Sequence, residues 1–167
     1  ISKLDLSGVT KIIDIGCGCG ATTLEIAQQL ESGEIIGVDI SEPMLDRATQ
    51  NASDQSLSNA SFQVLDVQVD EMPSDYEIAF SRFGVMFFED PYQAFSNINN
   101  SLKENGQLCF VCWQNPSLNP WQSLSIQVIK EFLDLPSPPA KSPGPFAFED
   151  KNYIKDILDQ SNFKDIE

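Results

Sequence analysis

Two rhythms of apolar residues alternate along the chain. Ile12, Ile13 and Ile15, and later Ile35-Ile36-Gly37-Val38, are β-branched runs that read as strands buried on both faces. After the first run, Leu24, Ala27 and Leu30 fall at helical spacing and predict a helix over 21–30. The same alternation continues. Strands are predicted over 34–40, 61–65, 76–81 and 107–113, with Glu104-Asn105-Gly106 as the turn into the last of them. Ser41 caps a helix running through Ala48, with Pro43 in its first turn, and 51–59 reads as a polar surface connection. Asp90 caps a helix whose buried stripe is Phe95, Ile98 and Leu102. A helix over 121–133 is expected to bury Trp121, Leu124, Val128 and Phe132. Five prolines between Leu135 and Pro145 predict an extended connector, and Asp150 caps a last helix carrying Ile154, Ile157 and Leu158.

Five strands alternating with helices predict an α/β fold, a doubly wound and mainly parallel sheet that binds ligands at the carboxyl ends of its strands. Three loops should converge there. The first strand runs into Gly16, Gly18 and Gly20, a spacing that suits a turn needing backbone freedom and close approach of a ligand to bare main chain. The second ends on Asp39, 19 residues past Gly20, where an acid can accept both hydroxyls of a ribose. The third ends at Asp66-Val67. The Asp66 carboxylate is placed to accept from an exocyclic amine and the Val67 N–H to donate to a ring nitrogen, the pair that adenine displays on one edge. Nearby acids suit a cationic ligand better than a pyrophosphate. Arg82 could pair with a ligand carboxylate or, structurally, with Asp66 or Glu89. Phe83, Met86, Phe87 and Phe88 divide between pocket and core, with core packing expected for two of them.

Composition narrows the chemistry. With 167 residues and a net charge of −15, one domain is expected, and nucleic acid and anionic membrane surfaces are disfavoured as partners. No apolar run is long enough for stable membrane insertion. Cys17-x-Cys19 and Cys109-x-x-Cys112 lie in a glycine loop and an apolar strand, so no metal site is expected; reduced thiols point to a cytoplasmic location. The chain contains no histidine, which removes histidine-dependent triads and leaves a carboxylate, tyrosine, lysine, cysteine, water or no base at all; for an acceptor that needs one, the candidates near the strand ends are Glu89, Asp90 and Tyr76.

Residues 11–113 resemble the class I S-adenosylmethionine-dependent methyltransferases, in the small-molecule group that includes ubiquinone and menaquinone biosynthesis enzymes. The resemblance lies in Ile13-Asp14-Ile15-Gly16-Cys17-Gly18-Cys19-Gly20, Gly37-Val38-Asp39-Ile40-Ser41, Leu65-Asp66-Val67, residues 81–88, and 102–111 with its Asn-Gly turn. It implies a Rossmann-like sheet in the order 3-2-1-4-5 with helices on both faces. It also implies that the 16–20 loop, Cys17 included, holds the methionine moiety, with Asp14 supporting its amino group. Asp39 would bind the ribose, Ile40 and Met44 would flank the adenine, Asp66 and Val67 would read its edge, and the backbone at Ser81 and Arg82 would pass near the sulfonium. The implied cofactor is S-adenosyl-L-methionine, giving S-adenosyl-L-homocysteine, and the partner is a small-molecule methyl acceptor. A helix before strand one and two strands after the last helix, usual in the fold, are absent or cut short here, so a longer protein is expected.

On this basis 1–113 forms the cofactor-binding core, 114–148 a helical, proline-rich substrate cover roofed by Trp113, Trp121, Phe146 and Phe148, and 149–167 the last helix and the start of a further strand. Such a cover suits an apolar or aromatic acceptor. Two rivals remain open. Gly16-x-Gly18-x-x-Ala21 also satisfies a nicotinamide-dinucleotide fingerprint, giving an NAD(P)-dependent oxidoreductase. The other is a non-catalytic cofactor-binding subunit.

Overall fold

In the computed structural model, which describes residues 4–134, 139 and 141–167, the alternation becomes a five-stranded parallel sheet. Its strands are β1 (Lys11–Ile15), β2 (Glu34–Asp39), β3 (Ala60–Val64), β4 (Tyr76–Arg82) and β5 (Leu102–Val111). Their spatial order is β3-β2-β1-β4-β5, as the family resemblance implies. The order reverses at β1, which pairs with β2 on one side and β4 on the other. A crevice at the carboxyl ends of β1 and β4 follows from that reversal, because the two connections leave in opposite directions.

Helices cover both faces. Ile12, Ile35, Ile78 and Phe80 pack with Ile26 and Ala27 of α1 (Ala21–Gln29). Ile13, Ile15, Val38 and Ala79, the alternate positions, pack on the other face with Ala94 and Ile98 of α3 (Pro91–Ser101). Ile12, Ile13 and Ile15 are each no more than 1% exposed, and burying each contributes about 1.5–3 kcal/mol. Phe95 of α3 extends this layer to Ile157 and Leu158 of α5 (Lys151–Gln160), whose start is capped by Asp150 accepting from the Asn152 N–H.

Several expectations are corrected. The helix α2 (Glu42–Asp54) continues past Ala48, because Ala52 prolongs the buried stripe of Leu45 and Ala48. The Asn-Gly turn lies inside β5: Leu102 already pairs with Tyr76 and Gln107 with Ile78, so Asn105 and Gly106 bulge from a strand that ends at Val111. The helix α4 (Pro120–Lys130) is shorter than expected, and the stripe expected to be buried is not. Trp121, Leu124, Val128 and Phe132 are all exposed. After α5 the chain forms no strand; Phe163 folds back edge-on to Phe95. The proline-rich connector lies partly outside the described residues. Its far end is anchored, with the Gly144 N–H donating to the Met86 carbonyl and Phe148 buried against Phe95 and Phe110. Phe148 is therefore core rather than roof.

Candidate functional site

The loop after β1 is tied down by its own amides. The Gly16 and Cys17 N–H groups donate to the Val38 carbonyl at 2.9 and 3.1 Å, and the Gly20 N–H donates to the Cys17 carbonyl. The Gly18 N–H donates to Asp39 Oδ2 at 2.9 Å, while Asp39 Oδ1 accepts from the Ser41 N–H at 3.0 Å. Asp39 thus braces the loop as well as ending β2. Each of its oxygens keeps a second acceptor position.

The glycines serve the fold more than the sequence suggests. A Cβ on Gly16 would lie 2.7 Å from Gly84 Cα, and one on Gly20 would meet Phe62 and Ala48 at 2.9–3.0 Å. Gly18 differs: at φ +55° its Cβ would meet only the mobile tip of Met44, at 3.0 Å. Gly37, not singled out from sequence, leaves the space in which Cys17 Sγ and Phe62 sit. Cys17 is therefore turned toward the sheet. Burial, with Asp14 and Asp39 nearby, pushes its thiol pKa up.

Asp14 lies under the first turn of α1, 1% exposed, and accepts from Thr23 Oγ1 at 2.6 Å. Burial pushes its carboxyl pKa up to about 7, against the opposing effects of the Thr23 bond and the Arg82 charge, while the Asp39 charge adds to the rise. Thr23 was missed from sequence because its partner lies across the loop, not on the helix.

At the end of β3, Asp66 Oδ1 accepts from the backbone and side-chain nitrogens of Gln68, and the Asp66 N–H donates to Asp70 Oδ2 at 2.7 Å. Asn97 Nδ2 of α3 donates to the carbonyl of Val67, whose side chain is buried. Asp66 Oδ2 accepts no bond among the described residues. Ile40 and Met44, beside Asp39, are 72% and 42% exposed.

The β4 end supplies the other wall. Ser81 is buried and its Oγ donates to the Ile15 carbonyl at 2.7 Å, stitching β4 to β1. Arg82 is exposed and forms no ion pair with Asp66 or Glu89; among the described residues the ion pairs are Lys103–Glu77 and Lys155–Asp159. Phe83 takes φ +67°, a conformation that costs a bulky residue about 1–3 kcal/mol and persists only when its surroundings enforce it. Here the Phe83 N–H donates to the Val111 carbonyl, and the ring stacks on Trp113 at 4.6 Å with 4° between planes. Met86 and Phe88 join the core and Phe87 is exposed. One candidate base leaves the site: Tyr76 begins β4, at the opposite edge of the sheet. Asp90 is engaged as the cap of α3, accepting from the Gln93 N–H, and its own N–H, like that of Glu89, donates to Gln68 Oε1 beside Asp66.

Among the described residues no group of three His, Cys, Asp or Glu side chains could hold a metal ion, and no helix is long and apolar enough to cross a membrane. All four cysteines are free.

The profile of one family, described as a methyltransferase domain, matches residues 6–132. The chain belongs to the class I S-adenosylmethionine-dependent methyltransferases. This methyltransferase domain is 28% identical over 102 residues to aklanonic acid methyltransferase DauC of a Streptomyces species, covering 60% of this chain and 46% of that protein. The O-methyltransferase of a trans-AT polyketide multienzyme from Brevibacillus brevis, solved with S-adenosyl-L-homocysteine, superposes with a TM-score of 0.61 at 25% identity, over 65% of this chain and 37% of that one. A phosphoethanolamine N-methyltransferase of Haemonchus contortus shares the fold over 95% of this chain and 34% of its own, with a TM-score of 0.68 at 22% identity. The domain spans 39–46% of the length of the first curated relatives it matches.

Proposed function

We infer that the domain binds S-adenosyl-L-methionine at the carboxyl edge of β1, β2 and β3 and directs its methyl group to a small apolar or aromatic acceptor. The observation that carries this is the set of groups at that edge. Asp39 retains acceptor positions beside two exposed apolar side chains, Ile40 and Met44, and Gly18 leaves bare main chain next to them. That combination suits a ribose joined to a flat aromatic base. Asp66 Oδ2 and the Val67 main chain are available for the base edge, and the main chain of the Gly16–Gly20 loop for the methionine moiety, with Asp14 buried beneath it supporting the ammonium group indirectly. The main chain at Ser81 and Arg82 would border the sulfonium, with Cys17 contributing through backbone alone.

S-adenosylmethionine supplies a methyl group already activated by a sulfonium charge. The protein's own part is then alignment of donor and acceptor, which can supply roughly 7–11 kcal/mol of a barrier. The braced loop and the β1–β4 stitch hold that geometry without rearrangement. The site contains no histidine, so an acceptor that needs no proton removed, such as a carboxylate, suits it without a general base.

The segment 114–148 serves as an acceptor cover in this reading. Its two ends are joined by Asn115 Nδ2 donating to Glu149 Oε2 at 3.0 Å, and Trp113 and Trp121 lie on its inner rim at 5.3 Å. Calorimetry with S-adenosylhomocysteine, S-adenosylmethionine, NAD and NADP tests the cofactor assignment. The two adenosyl-sulfur compounds should bind and the dinucleotides should not. Binding of NAD alone would favour the oxidoreductase. Transfer of labelled methyl to an acceptor separates an enzyme from a binding subunit.

A further inference from the structure

Four side chains at the β4 end form a continuous series that the cofactor reading leaves unused. The guanidinium carbon of Arg82 lies 5.8 Å from the Phe83 ring centroid. Phe83 stacks flat on Trp113, and Trp113 meets Trp121 at 5.3 Å with 59° between the planes, a corner rather than a closed stack. Trp121 is 62% exposed. Arg82 is exposed as well, with no carboxylate within ion-pair distance among the described residues. Phe83 holds its place in a left-handed backbone conformation that a phenylalanine adopts only under constraint. Strain of that kind, next to the crevice at the sheet's reversal point, persists because the Val111 bond and the Trp113 stack hold the side chain in one place.

We propose that Arg82, Phe83, Trp113 and Trp121 form the acceptor-recognition surface, and that the acceptor is a flat aromatic molecule carrying a carboxylate. The proposal rests on the methyl-transfer reading for the role of the bound molecule. The planar guanidinium offers a forked donor set that matches a carboxylate with two parallel bonds. The aromatic corner offers faces for a ring, and aromatic rings add stacking to simple burial. Charge and apolar area thus lie at opposite ends of one surface, which orients a molecule polar at one end only. The surface begins at the residue after Ser81, so a molecule seated on it lies beside the β1–β4 crevice.

Trp113 and Trp121 are the two tryptophans of the chain, so their indole N–H resonances report on this surface alone. Naphthoate and its neutral analogue naphthamide are titrated into the full chain while those resonances are followed. Naphthoate should shift both and bind about tenfold more tightly than naphthamide. Arg82→Gln should reduce naphthoate to the affinity of naphthamide and leave naphthamide unchanged. The proposal is overturned if naphthoate moves neither indole, if naphthamide binds the parent as tightly, or if Arg82→Gln keeps the preference. S-adenosylhomocysteine binding is measured separately by calorimetry. Its failure strikes the methyl-transfer reading, while the naphthoate titration still decides whether this surface recognises an aromatic carboxylate.

Discussion

Gly16 and Gly84 meet backbone against backbone: a Cβ on Gly16 would lie 2.7 Å from Gly84 Cα, and a Cβ on Gly84 would lie 2.9 Å from Gly16 Cα and 2.6 Å from the Ile15 carbonyl oxygen. The loops after β1 and β4 therefore close on one another at the point where the strand order reverses. With the Ser81–Ile15 bond, this contact gives the crevice a rigid floor.

Gly84→Ala tests that contact. Its backbone is right-handed, so alanine adds no torsional strain and only the overlap remains. Overpacking of this kind costs about 1–3 kcal/mol. Thermal melting should fall and S-adenosylhomocysteine affinity should fall with it; a variant that melts like the parent would show that the loops separate freely. Gly18→Ala should behave differently. A Cβ there meets only the Met44 tip, so the stability cost is the left-handed backbone, about 1–2 kcal/mol, while ligand binding is lost.

Asp39 is expected to affect both stability and affinity. Asparagine has one acceptor oxygen and cannot receive both the Gly18 and Ser41 N–H groups as the carboxylate does. Asp39→Asn should cost about 1.5–3 kcal/mol of stability for the lost charge-assisted bond, and S-adenosylhomocysteine should bind more weakly. Chemical denaturation and calorimetry on the same preparation give the two numbers. Full stability with weakened binding would mean that the bonds to the loop carry no weight.

Asp14 predicts a pH dependence of definite sign. Its folded pKa is raised to about 7 from an ordinary 3.8, chiefly by burial. A group raised in this way contributes stability that is fully present below its unfolded pKa and is lost as pH rises through the folded value. From about pH 5 to about pH 8 the contribution should decline by about 2–3 kcal/mol. Asp14→Asn, which can still accept from Thr23, should flatten that decline in unfolding measurements across the range. An equal decline in parent and variant would assign it to other groups.

The exposed apolar face of α4 predicts its dynamics. A cover that buries little should exchange its amides faster than the sheet and gain protection when cofactor and acceptor are bound. Hydrogen exchange with and without S-adenosylhomocysteine and an aromatic carboxylate reads this directly. Protection of 120–130 equal to that of β1, and unchanged by ligand, would make the helix part of the rigid body.

The parallel α/β architecture was legible in the chain because each strand and helix announces itself locally. Consecutive β-branched residues make Ile12–Ile15 a two-sided strand whatever surrounds it, and Asp39 and Asp66 stand at strand ends by simple position. The alternation of strands and helices then limits the topologies available. Local pattern carries less where an element's surroundings decide its state. Trp121, Leu124 and Val128 have the spacing of a buried stripe, but spacing records only that one face is apolar, and nothing among the described residues covers it. Phe148, expected over the crevice, is core because the chain returns after α4 and inserts it against Phe95.

Hydrogen-bond partners lay beyond the sequence for a related reason. An acid at a strand end can accept from a ligand or from the chain, and only the approach of a distant loop decides which. In Asp39 the loop amide of Gly18 and the following turn each take one position on an oxygen. In Asp14 the helix closes over the carboxyl and gives it Thr23 in place of water. The glycines follow the same division. Their spacing predicted a turn without side chains, but whether the vacated space holds Gly84, Phe62 or a ligand depends on which segments the sheet brings together. Sequence determines the conformations and chemical groups each segment can offer; tertiary packing determines which of them are already engaged, because contacts between segments far apart in the chain are formed only when the fold closes.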